Sequence, residues 1–237
     1  MTAQRIGLLG GMSWLSTMDY YRLLNEGTNH RLGAEHSTDL VLRSLDFQTL
    51  LDTVDHAGAV EDQLDAAADD LAAAGAAVLA VAAITAHRFT HRLEHRRDMR
   101  FVHVGQATSH ALASHGARRP GLLATSITLR DAALVERITH GTEPILPDAG
   151  HRAALDEIIF GELIRGPASD TGQKVLARVI DELGANGADA ILLACTELST
   201  ARPHLPTRLP ILDTTALHCA AILETAASAG ISTSSSL

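Results

Sequence analysis

Cysteine is scarce in this chain, which has two among its 237 residues. A chain of this length cannot build a disulfide framework from two cysteines, so we expect both to be thiols in a reducing compartment. Aromatic residues are also rare, at 3% of the sequence, although 46% of the residues are hydrophobic. The core must therefore be packed mainly with alanine, leucine, valine and isoleucine.

Positive charge is in short supply. Lysine and arginine number 19 against 28 aspartates and glutamates, which gives a formal net charge of −9. No basic tract with interleaved aromatics is present, which argues against nucleic acid as a partner. The overall field repels anions, so an anionic substrate would need local cations and backbone N–H groups.

Long hydrophobic runs are missing as well. None reaches the length of a membrane span, so we expect no membrane partner. Residues 1–5 lead directly into a predicted strand and lack the hydrophobic region of a signal peptide. The sequence therefore predicts a cytoplasmic protein.

What the chain does contain is an internal repeat. Residues 75–85 are similar to 187–197 at an offset of 112, and residues 6–10 are similar to 120–124 at an offset of 114. The first pair are apolar runs that end in small or hydroxyl residues, which is typical of buried parallel strands. The repeat indicates a duplicated fold and aligns Ala83 with Cys195. Such a fold offers two facing positions, of which only one carries a thiol.

Predicted strands alternate with predicted helices, including helices at 85–95, 126–139 and 151–163. This alternation predicts an α/β fold with two lobes, whose parallel sheets are related by the duplication as a pseudo-two-fold pair. The N-terminal lobe would comprise residues 1–104 with 213–230, and the C-terminal lobe 105–212, while 231–237 would form a flexible tail. Ligands in such folds bind beyond the carboxyl ends of the strands, and we expect the pocket in the cleft between the lobes.

Cys195 is the candidate catalytic residue. It follows a buried predicted strand and precedes Thr196 and Glu197. Backbone N–H groups at such a strand end would lower the pKa of the thiol and make it a usable base or nucleophile. The competing interpretation is a small buried core residue, the commoner state of cysteine. Cys219 lies among alanines in a predicted helix, and we interpret it as core packing.

Glycine and hydroxyl residues follow other predicted strands. The segment Gly10-Gly11-Met12-Ser13 would let the backbone approach an anion, or form only a tight turn. Thr85, Thr125, Thr128 and Thr196 could bind a carboxylate or could cap helices. The glycine segment lacks the third glycine of a dinucleotide fingerprint, and no Walker loop occurs, so we expect no organic cofactor.

Three histidines at a spacing of four residues, His87, His91 and His95, would share one face of the predicted helix 85–95. One interpretation of this stripe is a metal site. Four arginines run alongside and would oppose a bound cation: Arg88, Arg92, Arg96 and Arg97. We therefore interpret the stripe as a solvated face and predict no metal.

Several motifs resemble those of the aspartate/glutamate racemase family. They cover nearly the whole chain: IGLLGGMSW at 6–14, YYRLLNE at 20–26, HS at 36–37, SLDF at 44–47, IIFGEL at 158–163, CTE at 195–197 and LDT at 212–214. The resemblance implies a cofactor-independent enzyme with two flavodoxin-like lobes, a homodimeric state and an active site between the lobes. It also implies a small anionic carboxylate or an amino acid as the substrate.

In that family two thiols flank the substrate Cα, one removing the α-proton and the other returning a proton to the opposite face. The resemblance places the second thiol at Cys195 and the first at Ala83. The asparagine that follows the first thiol in the family corresponds to Ile84, whereas Thr85 and His87 match the motif. The implied substrate-binding residues are Met12, Ser13, Ala83, Ile84, Thr85, Thr125, Arg165 and Thr196.

Three functions stay open at this point. The first is racemisation, in which water, Thr85 or His87 would have to serve the face that Ala83 cannot serve. The second is a one-cysteine lyase or decarboxylase reaction, as in the related arylmalonate decarboxylase, where one cysteine protonates an enediolate. An apolar wall at Ala83 and Ile84 would suit the expulsion of a carboxylate. The third is a non-catalytic relative that binds a carboxylate.

Overall fold

The computed structural model describes residues 3–201, 205 and 207–228, so the tail predicted at 231–237 lies outside the described residues. The strands are β1 (Ile6–Gly10), β2 (Leu40–Ser44), β3 (Val78–Val81), β4 (Arg100–Phe101), β5 (Pro120–Leu123), β6 (Ala190–Leu193) and β7 (Ile211–Asp213). Each strand overlaps one predicted from the sequence, and β4 overlaps the segment predicted at 101–104 only at Phe101. Apolar runs such as VLAV in β3 and AILL in β6 are buried throughout, which is typical of parallel strands covered on both faces.

Helices occupy the connections between the strands. They are α1 (Trp14–Leu32), α2 (Phe47–Leu51), α3 (Ala57–Ala73), α4 (His91–Glu94), α5 (Val104–Ser114), α6 (Ser126–Arg130), α7 (Ala132–Ile138), α8 (Ala149–Ile158), α9 (Asp170–Ala185), α10 (Leu198–Ala201) and α11 (Thr214–Ser228), with a 3₁₀ helix at Thr85–Phe89 and a π-helix at Ile159–Leu163. Among the helices in the described parts of the chain, none is long and apolar enough to cross a membrane.

The chain forms two compact units. Among the described residues, the first unit comprises 3–82, 89–103 and 219–228, and the second comprises 83–88 and 104–218 apart from the undescribed positions. The segments 83–88 and 213–218 thus group with the second unit, whereas the boundaries expected from the sequence assign them to the first lobe. The grouping of 83–88 matters for function because it brings Ala83 into the same unit as Cys195.

Each unit contains one parallel sheet, which confirms the predicted α/β fold class. The first sheet has the strand order β2-β1-β3-β4, and the second has the order β5-β6-β7. In the second sheet an isolated parallel bridge joins Gly121 to Ile145, where the first sheet pairs Gly7 of β1 with Val41 of β2. The second sheet therefore has the same strand arrangement as the first, except that the edge strand equivalent to β2 is reduced to a single bridge at Ile145.

The repeat found in the sequence is reproduced in the packing. After α3, Gly75 takes φ 82° and the N–H of Ala76 bonds to the carbonyl of Leu71 at 3.0 Å; after α9, Gly187 takes φ 89° and the N–H of Ala188 bonds to the carbonyl of Leu183 at 3.0 Å. A left-handed residue after a helix favours glycine because a Cβ is disfavoured there. These turns are copies at the offset of 112 residues.

The strands of the two copies also share one register. Ile6 to Leu9 pair with Val78 to Val81, and Pro120 to Leu123 pair with Ala190 to Leu193. Beyond the last pair, the N–H of Ala82 bonds to the carbonyl of Leu9, and that of Ala194 bonds to the carbonyl of Leu123, each at 2.8 Å. The residues that come next along the chain are Ala83 and Cys195, so the structure supports their correspondence.

Apolar side chains cover the sheets. In the first unit the cluster includes Leu8, Tyr20, Val78 and Ile222, together with Cys219, which is buried as predicted. In the second unit one cluster surrounds Leu193 and Cys195, and another includes Ile84 with Leu122, Ala124, Leu192 and Ala194. Burial of these side chains is the main stabilising contribution to folds of this kind.

Three predicted helices are interrupted. The helix expected at 85–95 is a 3₁₀ helix that ends at Phe89, followed by α4. The helix expected at 126–139 breaks at Asp131, whose carboxylate accepts a hydrogen bond from the N–H of Leu134 at 3.0 Å and starts α7. The helix expected at 151–163 widens into the π-helix at Ile159. The short helix α2 was not predicted, because five residues carry no usable periodicity.

Candidate active site

Cys195 stands two residues beyond the last residue of β6, in the loop that leads into α10. Its residue surface is 7% exposed, and its thiol is free of any disulfide. The strand before it is fully buried, so the chain delivers the thiol to the carboxyl edge of the second sheet. This edge is where ligands bind in open α/β folds.

The thiol is hydrogen-bonded to a carboxylate. Cys195 Sγ donates to Glu197 Oε2 at 3.0 Å, and Thr196 Oγ1 donates to the same oxygen at 2.9 Å. The backbone turns tightly here, because the N–H of Leu198 bonds to the carbonyl of Cys195 at 3.1 Å. The Cys-Thr-Glu motif therefore forms one hydrogen-bonded group.

The environment raises the pKa of the Cys195 thiol well above its ordinary value of 9.0. Burial is the largest cause, because it disfavours the thiolate, and the negative charge and hydrogen bond of Glu197 act in the same direction. The backbone N–H groups of Glu197 and Leu198 lower the pKa, but by less. The prediction that the strand end lowers this pKa is wrong, and Cys195 is a protonated thiol at neutral pH.

Ala83 occupies the corresponding position after β3 and is 5% exposed. Its carbonyl oxygen lies 2.9 Å from His87 Nδ1. A carbonyl can only accept, so Nδ1 carries the proton in this contact. The methyl group of Ala83 has no proton to exchange, and the imidazole of His87 is tied to the backbone of the same turn.

Ile84 and Thr85 lie on either side of the start of the 3₁₀ helix. Ile84 is 3% exposed and packs in the apolar cluster that contains Ala124 and Ala194, the residues that immediately precede Thr125 and Cys195. This packing brings the segment at 83–85 to the carboxyl edge of the second sheet. Thr85 is half-buried and begins the 3₁₀ helix.

The three histidines do not share one solvated face. His87 is 4% exposed and packs edge-on against the buried ring of His218, with centroids 5.3 Å apart. His91 and His95 are exposed, and His95 Nδ1 bonds to the carbonyl of His91 at 2.7 Å. The interpretation of a solvated stripe is therefore wrong for His87, because the 3₁₀ helix turns it into the second unit.

Thr125 follows β5 and lies at the same sheet edge as Cys195, because β5 and β6 are neighbouring parallel strands in register. It is 5% exposed, and its Oγ1 accepts a hydrogen bond from the N–H of Thr128 at 3.3 Å. The two hydroxyl oxygens are 3.2 Å apart. Thr125 is thus the N-cap of α6, the second of the two roles considered from the sequence, whereas Thr128 lies within the helix.

Arg165 lies after the π-helix and is exposed. Its Nη1 donates to the carbonyl oxygens of Phe160 and Gly161 at 3.0 and 2.8 Å. These carbonyls belong to the wide turn of the π-helix. The structure thus gives the guanidinium a local role at the end of this helix.

Met12 and Ser13 belong to the first unit, unlike the other predicted site residues. Met12 is buried at 8% exposure. Ser13 precedes α1 with φ 57°, a left-handed conformation that is unusual for serine, and its Oγ accepts from the N–H of Ser16 at 3.5 Å. Strain of this kind costs about 1–3 kcal/mol and is concentrated at functional sites.

The described residues contain one group of side chains with the spacing of metal ligands. This group brings three possible ligand atoms within 4.8 Å of one another, namely Asp148, His151 and Glu182. These side chains already bond to each other and to the backbone: His151 Nδ1 lies 2.5 Å from Glu182 Oε2, and Asp148 accepts from the N–H of His151 at 2.8 Å. The Asp148 carboxylate is the N-cap of α8, so the group has a structural role.

A surface cavity on the second unit is lined by Ile180, Asp181, Gly184, Thr207, Arg208 and Leu209. None of the predicted site residues lines it. We therefore assign the candidate site to the carboxyl edge of the second sheet on the hydrogen bonds of Cys195, rather than to this cavity.

The sequence did not reveal the role of two acidic residues at this edge. Glu197 was part of the recognised motif, but its hydrogen bond to the thiol was not foreseen. Asp156 of α8 accepts from the N–H of Ser126 at 2.8 Å and so fixes the turn after β5. The spacing of two residues between Cys195 and Glu197 was a usable signal for the first, whereas no local pattern indicates the second.

The two parallel sheets, with a buried thiol at the end of a strand, place the chain in a class of two-unit α/β proteins. Comparison with known proteins identifies the family within this class. The family model described as Asp/Glu/Hydantoin racemase matches residues 9–222. The chain belongs to this racemase family. Racemases are isomerases, so the chain is an enzyme of the isomerase class, whose substrate these matches leave open.

Similar proteins agree with this assignment. A structure from Yersinia pestis described as an Asp/Glu racemase is 35% identical, with a TM-score of 0.84, and the match covers 94% of this chain and 99% of that one. An aspartate racemase homologue from Pyrococcus horikoshii has the same fold, at 23% identity and a TM-score of 0.81 with the same coverage. The broad specificity amino-acid racemase RacX of Bacillus subtilis is 22% identical over 215 residues, or 89% of this chain and 93% of RacX.

Proposed function

We propose that this chain is a cofactor-independent racemase of a small amino acid of the aspartate or glutamate type, and that Cys195 is its catalytic acid/base. The observation that carries the proposal is the thiol of Cys195 at the carboxyl end of β6, 3.0 Å from the carboxylate of Glu197. The name of one relative supports an amino acid as the substrate, because RacX is described as a broad specificity amino-acid racemase. In this proposal Ala83 stands where the family has its first catalytic thiol.

The chemistry assigned to Cys195 is proton exchange at the substrate Cα. A thiol that is protonated at neutral pH can give its proton to a carbanion, and the thiolate that results can take the proton back. Inversion needs exchange on both faces, and the methyl group of Ala83 cannot take part. The other face would therefore be served by water, Thr85 or His87, and a general acid or base of this kind contributes about 10²–10⁴-fold to a rate.

The substrate carboxylate needs donors at the same sheet edge. We propose the main-chain N–H groups near Thr85 and Thr196, with Thr125 and Arg165 as further candidates. The support is positional for the threonines, because all three lie in the second unit. Thr196 follows β6 and Thr125 follows β5, whereas Thr85 follows Ile84, which packs against Ala124 and Ala194. The support for Arg165 comes only from the resemblance, since its guanidinium donates to Phe160 and Gly161.

Isotope exchange tests the proposal. The purified chain would be incubated with L-aspartate or L-glutamate in D₂O, and the products analysed by chiral chromatography and mass spectrometry. We expect deuterated D-isomer from the wild type and none from Cys195→Ala, with Cys219→Ala as the matched control that keeps activity. Equal exchange by wild type and Cys195→Ala would overturn the role of Cys195.

A one-cysteine lyase or decarboxylase is the second candidate, and two observations favour it. The raised pKa keeps a proton on Cys195, which suits an acid. Position 83 is an alanine, and protonation of an enediolate needs no second thiol. Incubation with malonate-type acids would then release CO₂, while no amino acid would exchange deuterium. A ligand that binds without either reaction, with affinity unchanged in Cys195→Ala, would overturn both candidates.

We also propose that the enzyme is a homodimer. Helix α1 exposes large apolar side chains at Trp14, Met18 and Tyr21, at 63%, 57% and 56% exposure. Their spacing of four and three residues places them on one helix face, and an exposed apolar face of this kind favours association. Light scattering should show a dimer for the wild type and a monomer for Met18→Glu, while Ile127→Glu, exposed at 46% in the second unit, should stay dimeric.

A further inference from the structure

We propose that Cys195 and Glu197 hold one proton between them and act as a single acid/base pair, in which Glu197 is the positioning residue of the thiol. This inference rests on the proposed role of Cys195 at the site, but it can be tested without any substrate. Glu197 has not been assigned a role by the similarity to racemases described above. The geometry that points to it is the hydrogen bond between Cys195 Sγ and Glu197 Oε2 at 3.0 Å.

The carboxylate is held in place for this contact. Thr196 Oγ1 donates to the same oxygen, Oε2, at 2.9 Å. Thr200 Oγ1 donates to the carbonyl of Glu197 at 2.7 Å, and the N–H of Thr200 bonds to that carbonyl at 3.3 Å. Side chain and backbone of Glu197 are thus fixed on both sides, so that Oε2 faces the thiol.

The apolar surroundings of the thiol strengthen the effect of the Glu197 carboxylate on its ionisation. Cys195 belongs to an apolar cluster whose members include Leu123, Leu193 and Leu198. Two negative charges at the separation of Sγ and Oε2 would be strongly unfavourable in such a place. The pair therefore holds one negative charge and one proton rather than two negative charges.

One proton shared in this way supports both directions of transfer. When the S–H bond breaks and an O–H bond forms at Oε2, the thiol becomes a thiolate and the carboxylate becomes a carboxylic acid. The charge of the pair stays at minus one, and no proton is taken from solvent. The thiol that donates the proton is the resting form of Cys195, and the thiolate that accepts one exists only while the proton lies on Oε2 of Glu197.

Thiolate absorption in the ultraviolet tests the pair directly. Each protein is titrated with alkali without substrate, and the matching Cys195→Ala protein is subtracted to remove Cys219 and tyrosine. In Glu197→Gln the amide carries no charge, so we expect the midpoint of thiolate formation to fall by about one pH unit or more, or about tenfold more thiolate at a pH below both midpoints. Glu143→Gln changes the net charge equally at an exposed position and should leave the midpoint unchanged.

A graded variant covers the case in which Glu197→Gln does not fold. Glu197→Asp keeps the charge but withdraws it by one methylene, so the midpoint should fall by less than in Glu197→Gln. A midpoint in either folded variant that equals or exceeds that of the wild type would overturn the pair. Because the readout is ionisation of the thiol, a failed racemisation assay would leave this result standing, and an unchanged midpoint would leave the racemisation result standing.

Discussion

Replacing Gly7 with alanine should strain the contact between β1 and the turn after α3. The added Cβ would lie 2.9 Å from the Cβ of Ala76 and 3.2 Å from both Cβ and Cδ1 of Leu71. The first distance is too short for two methyl groups, so the turn must shift. Overpacking of this kind costs about 1–3 kcal/mol, and the stiffer unfolded chain offsets about 0.4–1 kcal/mol of it. We expect a net loss of about 0.5–2 kcal/mol in the free energy of unfolding.

Urea denaturation followed by circular dichroism measures this loss, and a double-mutant cycle assigns its cause. Ala76→Gly removes the closest methyl group. In that background, Gly7→Ala should therefore lower the free energy of unfolding by at least about 0.5 kcal/mol less than it does in the wild type. Gly58→Ala is the matched control, because nothing lies within 4 Å of its added Cβ in α3, and it should stabilise by up to about 1 kcal/mol. Equal costs of Gly7→Ala in the two backgrounds, or no cost at all, would refute the packing explanation.

Four further outcomes are expected. Ala83→Cys should speed racemisation in D₂O by about 10²–10⁴-fold over the wild type and over Ala83→Ser, and an unchanged rate would contradict the proposed two-sided mechanism. Arg165→Gln should lower the unfolding free energy by about 0.5–1.5 kcal/mol through its lost carbonyl contacts, while a raised KM with unchanged kcat would show that it also binds substrate. Asp131→Ala should cost about 1 kcal/mol in urea denaturation by removing the N-cap of α7. The hydrogen bond from Arg96 holds the pKa of Asp98 below its ordinary value of 3.8. The stability that this ion pair contributes is therefore present above that pH and is lost as the pH falls through the pKa of Asp98 in the folded state. Asp98→Asn should make the free energy of unfolding less dependent on pH in acid, and an unchanged pH dependence would show that the pair contributes nothing.

The strands and the duplication could be predicted from the sequence because their signals are local. An apolar run such as VLAV between Gly75 and Thr85 has few alternatives to a buried strand. The repeat adds a second signal, since Gly75 and Gly187 both require a left-handed backbone. The correspondence of Ala83 with Cys195 followed from the offset alone, and the shared register of β3 and β6 supports it.

The electrostatics of the site could not be predicted, because they depend on burial. The sequence shows that backbone N–H groups follow Cys195, which would lower its pKa, but it does not show how completely the thiol is removed from water. It also does not show that Glu197 folds back on the thiol rather than pointing away. Desolvation and a neighbouring negative charge outweigh the N–H groups, so the sign of the shift is reversed.

The placement of His87 was missed for a related reason. A spacing of four residues predicts a shared face only if the helix is continuous. In the structure the 3₁₀ helix ends at Phe89, and His87 bonds back to the carbonyl of Ala83. Tertiary packing against His218 therefore decided the orientation, and no pattern within 85–95 encodes that contact.

The position of Trp14 has a practical consequence. It is the only tryptophan in the chain, and it projects from the first turn of α1 with 63% of its surface exposed. Intrinsic tryptophan emission therefore reports on a single surface spot, next to the turn that contains Ser13. Any molecule that covers this spot should shift the emission to the blue, so association can be followed without attaching a label.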